Sequence, residues 1–115
     1  MGVVYYANYL KYFEMCRSVL MRDLGYPYGV MEQDGYGLPV VEAVCRYKKS
    51  AKFDDDLLIT AFIMEAKGIR IQIGCTVKRG DELLAEGHTV HACLDLKTGK
   101  PCRLPPKLVE ILQNT

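Results

Sequence analysis

The spacing of hydrophobic residues changes once along this chain, from a helical period to an alternating one. From Tyr5 to Leu24 the apolar positions Tyr9, Phe13, Cys16, Leu20 and Leu24 recur at steps of three and four, while Lys11, Arg22 and Asp23 lie off that stripe. This is the pattern of a helix with one buried face, roughly five turns long at 3.6 residues per turn. Gly25 and Pro27 stop it near Leu24. The glycine- and tyrosine-rich segment from Gly25 to Gly37 predicts a turn-rich connection with room for one short helical turn, Tyr28 to Gln33.

From Leu38 onward the period is two. Val41, Ala43, Cys45 and Tyr47 share one strand face against Glu42 and Arg46, and Lys48 to Phe53 extends that strand as a basic edge before a break at Asp54-Asp55-Asp56. Leu57 to Glu65 is nearly continuous in apolar residues, as in a strand covered on both faces. Lys67-Gly68 signals a hairpin, after which Ile69, Ile71, Ile73, Cys75 and Val77 alternate with Arg70, Gln72 and Thr76. A turn at Arg79-Gly80-Asp81, a long strand from Leu83 to Leu96 and a short helix from Lys107 to Gln113, opened by Pro105-Pro106, complete the order. One long helix followed by hairpin-linked strands predicts a single α+β domain over residues 1–115, with an antiparallel sheet curved around the helix. Exposed sheet edges favour a partner chain or a further strand.

Composition narrows the function classes. With 15 Lys and Arg against 14 Asp and Glu there is no global field toward nucleic acid or a membrane surface, and no apolar run of membrane-spanning length occurs. A cytoplasmic protein is expected. The five cysteines, Cys16, Cys45, Cys75, Cys93 and Cys102, include no Cys-x-x-Cys pair, and Cys45, Cys75 and Cys93 fall in apolar strand patterns as reduced core residues. His88 and His91 lie three apart on a strand and so point to opposite faces, which argues against a joint metal site. Neither a metal nor a cofactor is expected, and no phosphate loop or Ser-His-Asp arrangement occurs.

The first stretch carries a more specific signal. Gly2-Val3-Val4-Tyr5-Tyr6-Ala7-Asn8-Tyr9-Leu10-Lys11-Tyr12-Phe13-Glu14, followed by Arg17, resembles the signature of hotdog-fold acyl-CoA thioesterases of the 4-hydroxybenzoyl-CoA thioesterase type, including the short-chain enzymes associated with the Tol-Pal system. Tyr47 to Asp55 and Leu84 to His91 resemble that family's middle and last strands. The resemblance implies hydrolysis of short-chain or aromatic acyl-CoA thioesters by a homodimer or homotetramer. It implies that the Tyr6 N–H polarises the thioester carbonyl at the helix start, where unpaired N–H groups and the helix dipole favour an oxyanion. Asn8 would orient the acyl group or water, or cap the helix, and Gly2, Val3, Val4, Tyr5 and Tyr9 would line the substrate site. Tyr5 and Tyr9 would equally suit packing at a subunit interface. Arg46, Lys48 and Lys49 are the candidates for coenzyme A phosphates; a solvated edge strand guarded by lysines has the same composition. The family's catalytic aspartate would fall two positions ahead of Met1, along with a first strand, so residues 1–115 alone are expected to be catalytically impaired. Glu14 reads as the ion-pair partner of Arg17 three residues on, with a helix glutamate as catalyst the alternative. Other open readings are a non-catalytic module binding acyl-CoA or acyl carrier protein, and a hotdog hydratase or dehydratase, against which counts the lack of any histidine before His88.

Overall fold

In the computed structural model, which describes residues 6–49 and 56–114 and side chains from residue 11, the first described element is α1, Tyr6–Asp23. Its end is built as the sequence implies. Gly25 takes φ +89, the Gly25 N–H donates to Arg22 O at 3.0 Å and the Tyr26 N–H reaches back to Met21 O at 3.0 Å. That double closure satisfies carbonyls the helix would leave open, and places Tyr26 against Met21 in the core. A short helix α2, Tyr28–Gln33, follows as expected.

The strands are β1 (Tyr36–Gly37), β2 (Val40–Tyr47), β3 (Leu58–Lys67), β4 (Arg70–Arg79), β5 (Glu82–Ala92) and β6 (Leu94–Asp95), before α3, Pro106–Gln113. Four of them form one antiparallel sheet in the order β2-β5-β4-β3, while β1 and β6 pair in a second, two-stranded sheet. In the large sheet Ile71, Ile73, Cys75 and Val77 of β4 lie opposite His91, Thr89, Gly87 and Ala85 of β5. These β4 residues form the sheet's buried face, as their alternation predicts, under Phe13 in the middle of α1 and Met21 near its C-terminal end. An antiparallel sheet with one helix packed across it is the expected α+β hotdog arrangement.

Five local expectations change. The centre of the buried helix face runs Phe13, Arg17, Met21, with Cys16, Leu20 and Leu24 only half-buried beside it. An arginine sits in mid-stripe because its head finds polar partners beneath the helix. β3 is exposed on one side, with Leu58 at 63% and Met64 at 51%, because the helices cover a single face of the sheet. In β2, a bulge between Val40 and Glu42 shifts the register, and Val41, Ala43 and Tyr47 are exposed while Cys45 alone of the expected face reaches the core cluster. Ile69 joins Gly68 in the two-residue turn between Lys67 and Arg70 instead of starting the strand. The strand expected from Leu83 to Leu96 breaks at Cys93, whose N–H bonds Ile69 O at 2.7 Å, so that Leu94 and Asp95 turn away to pair with Gly37 and Tyr36.

Candidate active site

Among the described residues α1 runs from Tyr6, the residue that the resemblance assigns to the thioester carbonyl. Gly2, Val3, Val4 and Tyr5 fall outside the described residues, as do the side chains of Tyr6, Asn8 and Tyr9.

Further along α1 the described side chains build a polar cleft of about 380 Å³. Glu14, Arg17 and Ser18 line it from α1, Tyr28 and Glu32 from α2, and His91 from β5, with Leu38 and Pro39 at the approach to β2. Arg17 is buried to 9% exposure and passes its Nη1 hydrogen to Thr89 Oγ1 at 3.5 Å. Thr89 Oγ1 lies 2.9 Å from His91 Nε2, and His91 Nδ1 lies 2.9 Å from Leu38 O. A carbonyl can only accept, so Nδ1 carries the ring proton, Nε2 accepts from the Thr89 hydroxyl, and that hydroxyl accepts from Arg17. The chain runs in one direction with His91 neutral. Burial pushes the His91 imidazolium below its ordinary range and the Arg17 cation adds to this, against the opposing pull of the Leu38 carbonyl. Burial raises the Tyr28 phenol, while the hydrogen bond and charge of Arg17 oppose the rise.

Arg17 thus turns inward to Thr89 and Tyr28, not along the helix to Glu14, correcting the expected ion pair. Glu14 is exposed at the cleft rim. Sequence reading missed Thr89, Tyr28 and Glu32. The available signal was the equal parity of Thr89 and His91 on a strand, which puts both on the face that Ile71 and Ile73 occupy next door. His88, of opposite parity, stands on the outer face with Arg46 and Glu86. Among the described residues no cluster of His, Cys, Asp or Glu could hold a metal ion.

The basic candidates lie elsewhere. Lys48 Nζ is 3.5 Å from Glu86 and Lys49 Nζ 2.6 Å from Glu82, which also pairs with Arg79. Those two cations lower the Glu82 carboxyl from its ordinary range. Such exposed pairs are screened by solvent and hold their partners weakly. Arg46 faces the outer side of the sheet beside Val44 and His88. Arg46, Lys48 and Lys49 do not line the Arg17–His91 cleft.

The comparison with protein families decides the affiliation. The model described as the thioesterase-like superfamily matches residues 1–112. The chain belongs to this superfamily. Among curated relatives it is 31% identical over 108 residues to the acyl-CoA thioesterase YbgC of Haemophilus influenzae, covering 93% of this chain and 79% of that one. Among solved structures, the DHNA-CoA thioesterase of Staphylococcus aureus superposes with a TM-score of 0.90 at 29% identity, over 99% of this chain and 79% of the other. A gentisyl-coenzyme A thioesterase superposes with a TM-score of 0.85 at 25% identity, over 98% and 89%. By family this thioesterase-like chain is a thioester hydrolase. Among its described residues no helix is long and apolar enough to cross a membrane.

Proposed function

We propose that this chain hydrolyses acyl-CoA thioesters carrying short-chain or aromatic acyl groups, as a cytoplasmic homodimer or homotetramer. The observation that carries the reading is the match of residues 1–112 to the thioesterase-like superfamily together with 31% identity to an acyl-CoA thioesterase over 93% of this chain. The Tyr6 N–H donates to the carbonyl oxygen, and the donation strengthens as negative charge develops on it. Asn8 orients the acyl group or water, and Gly2, Val3, Val4, Tyr5 and Tyr9 line the substrate site. Arg46, Lys48 and Lys49 meet the coenzyme A phosphates, Lys48 and Lys49 by exchanging their present glutamate partners, which exposed pairs allow at little cost. The family's catalytic aspartate, which would serve for attack or base catalysis, matches no position among residues 1–115. Residues 1–115 on their own are therefore expected to bind thioester but hydrolyse it slowly. The polar cleft beside α1 suits hydroxylated acyl groups, and two of the structural neighbours are named for gentisyl-coenzyme A and DHNA-CoA. Acyl carrier protein is an alternative carrier of the same thioester.

Thiol release from short-chain and aromatic acyl-CoAs tests this, using the 115-residue chain and a chain extended by a strand ending in that aspartate. The extended form is expected to be faster by about 10² or more, the scale of general acid–base effects. Failure of the extended form on every acyl-CoA would sink the reading. Equal high activity of both forms would move the carboxylate role to Glu14, checked by Glu14→Gln.

A further inference from the structure

Cys93 and Cys102 lie apart from the thioesterase site and have no role in it. Cys93 is buried at the break after β5; Cys102 is half-buried in the segment that leads to α3. Their sulfurs are 3.6 Å apart, and the Cys102 N–H donates to Cys93 O at 2.9 Å, so the two residues face each other across a short antiparallel bridge. Leu94 pairs with Pro101 and Asp95 N–H with Lys100 O at 2.9 Å, holding the intervening turn closed. A disulfide needs sulfurs at about 2.05 Å, so a modest closing of a pair already in contact suffices. The backbone bonds on either side keep the pair from drifting apart.

We propose that Cys93 and Cys102 are an oxidisable pair, converted by a hydroperoxide into an intramolecular disulfide that clamps the segment entering α3 to the end of β5. Access sets the order of events. Cys102 lines an open cavity of about 430 Å³ with Asp34, Tyr36, Asp95, Lys97 and Arg103, whereas Cys93 has no exposed surface. Cys102 therefore meets the oxidant first. Its thiolate attacks one peroxide oxygen, the O–O bond breaks, and hydroxide leaves, taking up the thiol proton as water; the product is the Cys102 sulfenic acid. Burial and the contact with Cys102 push the Cys93 thiol up to about 12, so Cys93 arrives at the second step still carrying its proton. The Cys93 sulfur then bonds to the Cys102 sulfur, and the displaced hydroxide leaves with that proton as a second water. In sum, two thiols and one hydroperoxide yield one disulfide and two waters when the oxidant is hydrogen peroxide. The clamp acts on the core, because Leu104 and Leu108 just beyond Cys102 pack with Cys93, Ile71 and Met21.

Hydrogen peroxide treatment of the full chain, followed by denaturation, thiol alkylation and mass spectrometry, tests the proposal. The expected product is lighter by about 2 Da before alkylation and takes up three alkyl groups where the untreated chain takes up five, with one peptide pair joining Cys93 to Cys102 and full recovery of five alkylatable thiols after reduction. Neither Cys102→Ser nor Cys102→Ala should show the loss, and oxidation should raise the unfolding midpoint of the unsubstituted chain only. Addition of oxygen at Cys102 with Cys93 still alkylatable, a disulfide mapped to Cys16, Cys45 or Cys75, or a cross-link between two chains would each overturn it. So would a Cys93–Cys102 disulfide that leaves the midpoint unchanged, since the clamp would then hold nothing.

Discussion

Arg17 shows how a single side chain ties the helix to the sheet. Its guanidinium sits beneath α1 with Thr89 and Tyr28 as partners, and Thr89 in turn meets Nε2 of His91, whose tautomer the Leu38 carbonyl sets. Because the folded state lowers the His91 pKa, the unfolded chain binds more protons in the window from its ordinary value of 6.5 down to the folded one. Stability contributed by neutral His91 is then full above that ordinary value and is lost as pH falls through the window. The unfolding midpoint should drop between about pH 7 and pH 5, and His91→Gln should flatten that drop. Arg17→Met should also reduce it, since the cation adds to the lowering, while costing about 1–2 kcal/mol at neutral pH through lost hydrogen bonds. An unchanged slope in both variants would show that other groups titrate. Gly87 offers a second test. A Cβ there would stand 2.0 Å from Val44 O and 2.9 Å from the Phe13 ring, so a methyl group meets backbone that cannot step aside. Gly87→Ala is expected to cost about 3 kcal/mol, read by denaturant titration, and a neutral result would mean β2 and β5 separate freely. The glycine was visible in the resemblance to the family's last strand, but its reason, the close approach of helix and neighbouring strand, depends on contacts remote in sequence.

Elements were legible to different degrees, and the differences follow from how local their causes are. The end of α1, the α2 turn and the Pro106 start of α3 are decided by glycine and proline within a few residues, and the structure keeps them. The break at Cys93 was not legible, because the run from Leu83 to Leu96 reads as one strand and only bonds to Ile69 and Cys102 pull it out of the sheet. β3 was misjudged for the same kind of reason: an apolar run states that its residues tolerate burial, and only the position of the helices decides which of them are buried. Tyr26 joins three of these elements. It is fully buried, its hydroxyl donates to Asp34 Oδ2 at 2.8 Å after α2, and Lys107 of α3 lies 5.6 Å from its ring centroid. Burial foremost, and then Asp34, raise its phenol far above the ordinary range. Tyr26→Phe should cost about 1 kcal/mol, since Asp34 itself is exposed and stays hydrated. Tyr26→Ala should cost about 3–5 kcal/mol by leaving a cavity among the three helices, and thermal unfolding of the two variants separates the hydroxyl from the ring.

At the scale of the whole molecule the sheet has one face under α1 and one that stands bare among the described residues. The bare face carries Leu58, Phe62 and Met64, all exposed on the edge strand β3. Gly74 opposite Phe62 lets that ring lie flat, since a Cβ there would come within 2.5 Å of it. Apolar surface on an edge strand suits the self-association proposed for the enzyme. Met64→Glu is expected to shift the chain toward monomer in light scattering, leaving the unfolding midpoint of the dilute chain unchanged within about 0.5 kcal/mol. A monomeric unsubstituted chain would remove the proposal. The sequence by itself determined the order of the main helices and strands, the α+β class, the closed end of α1, the alternation of β4 and the family, because each rests on spacing between near neighbours or on one long motif. Only the tertiary structure decided that Arg17 is buried, that Thr89 and His91 stand beneath it, that Lys48 and Lys49 face glutamates, and that Cys93 meets Cys102. These depend on strand register and helix placement, which bring together residues tens of positions apart, and no local period encodes which side chains will meet.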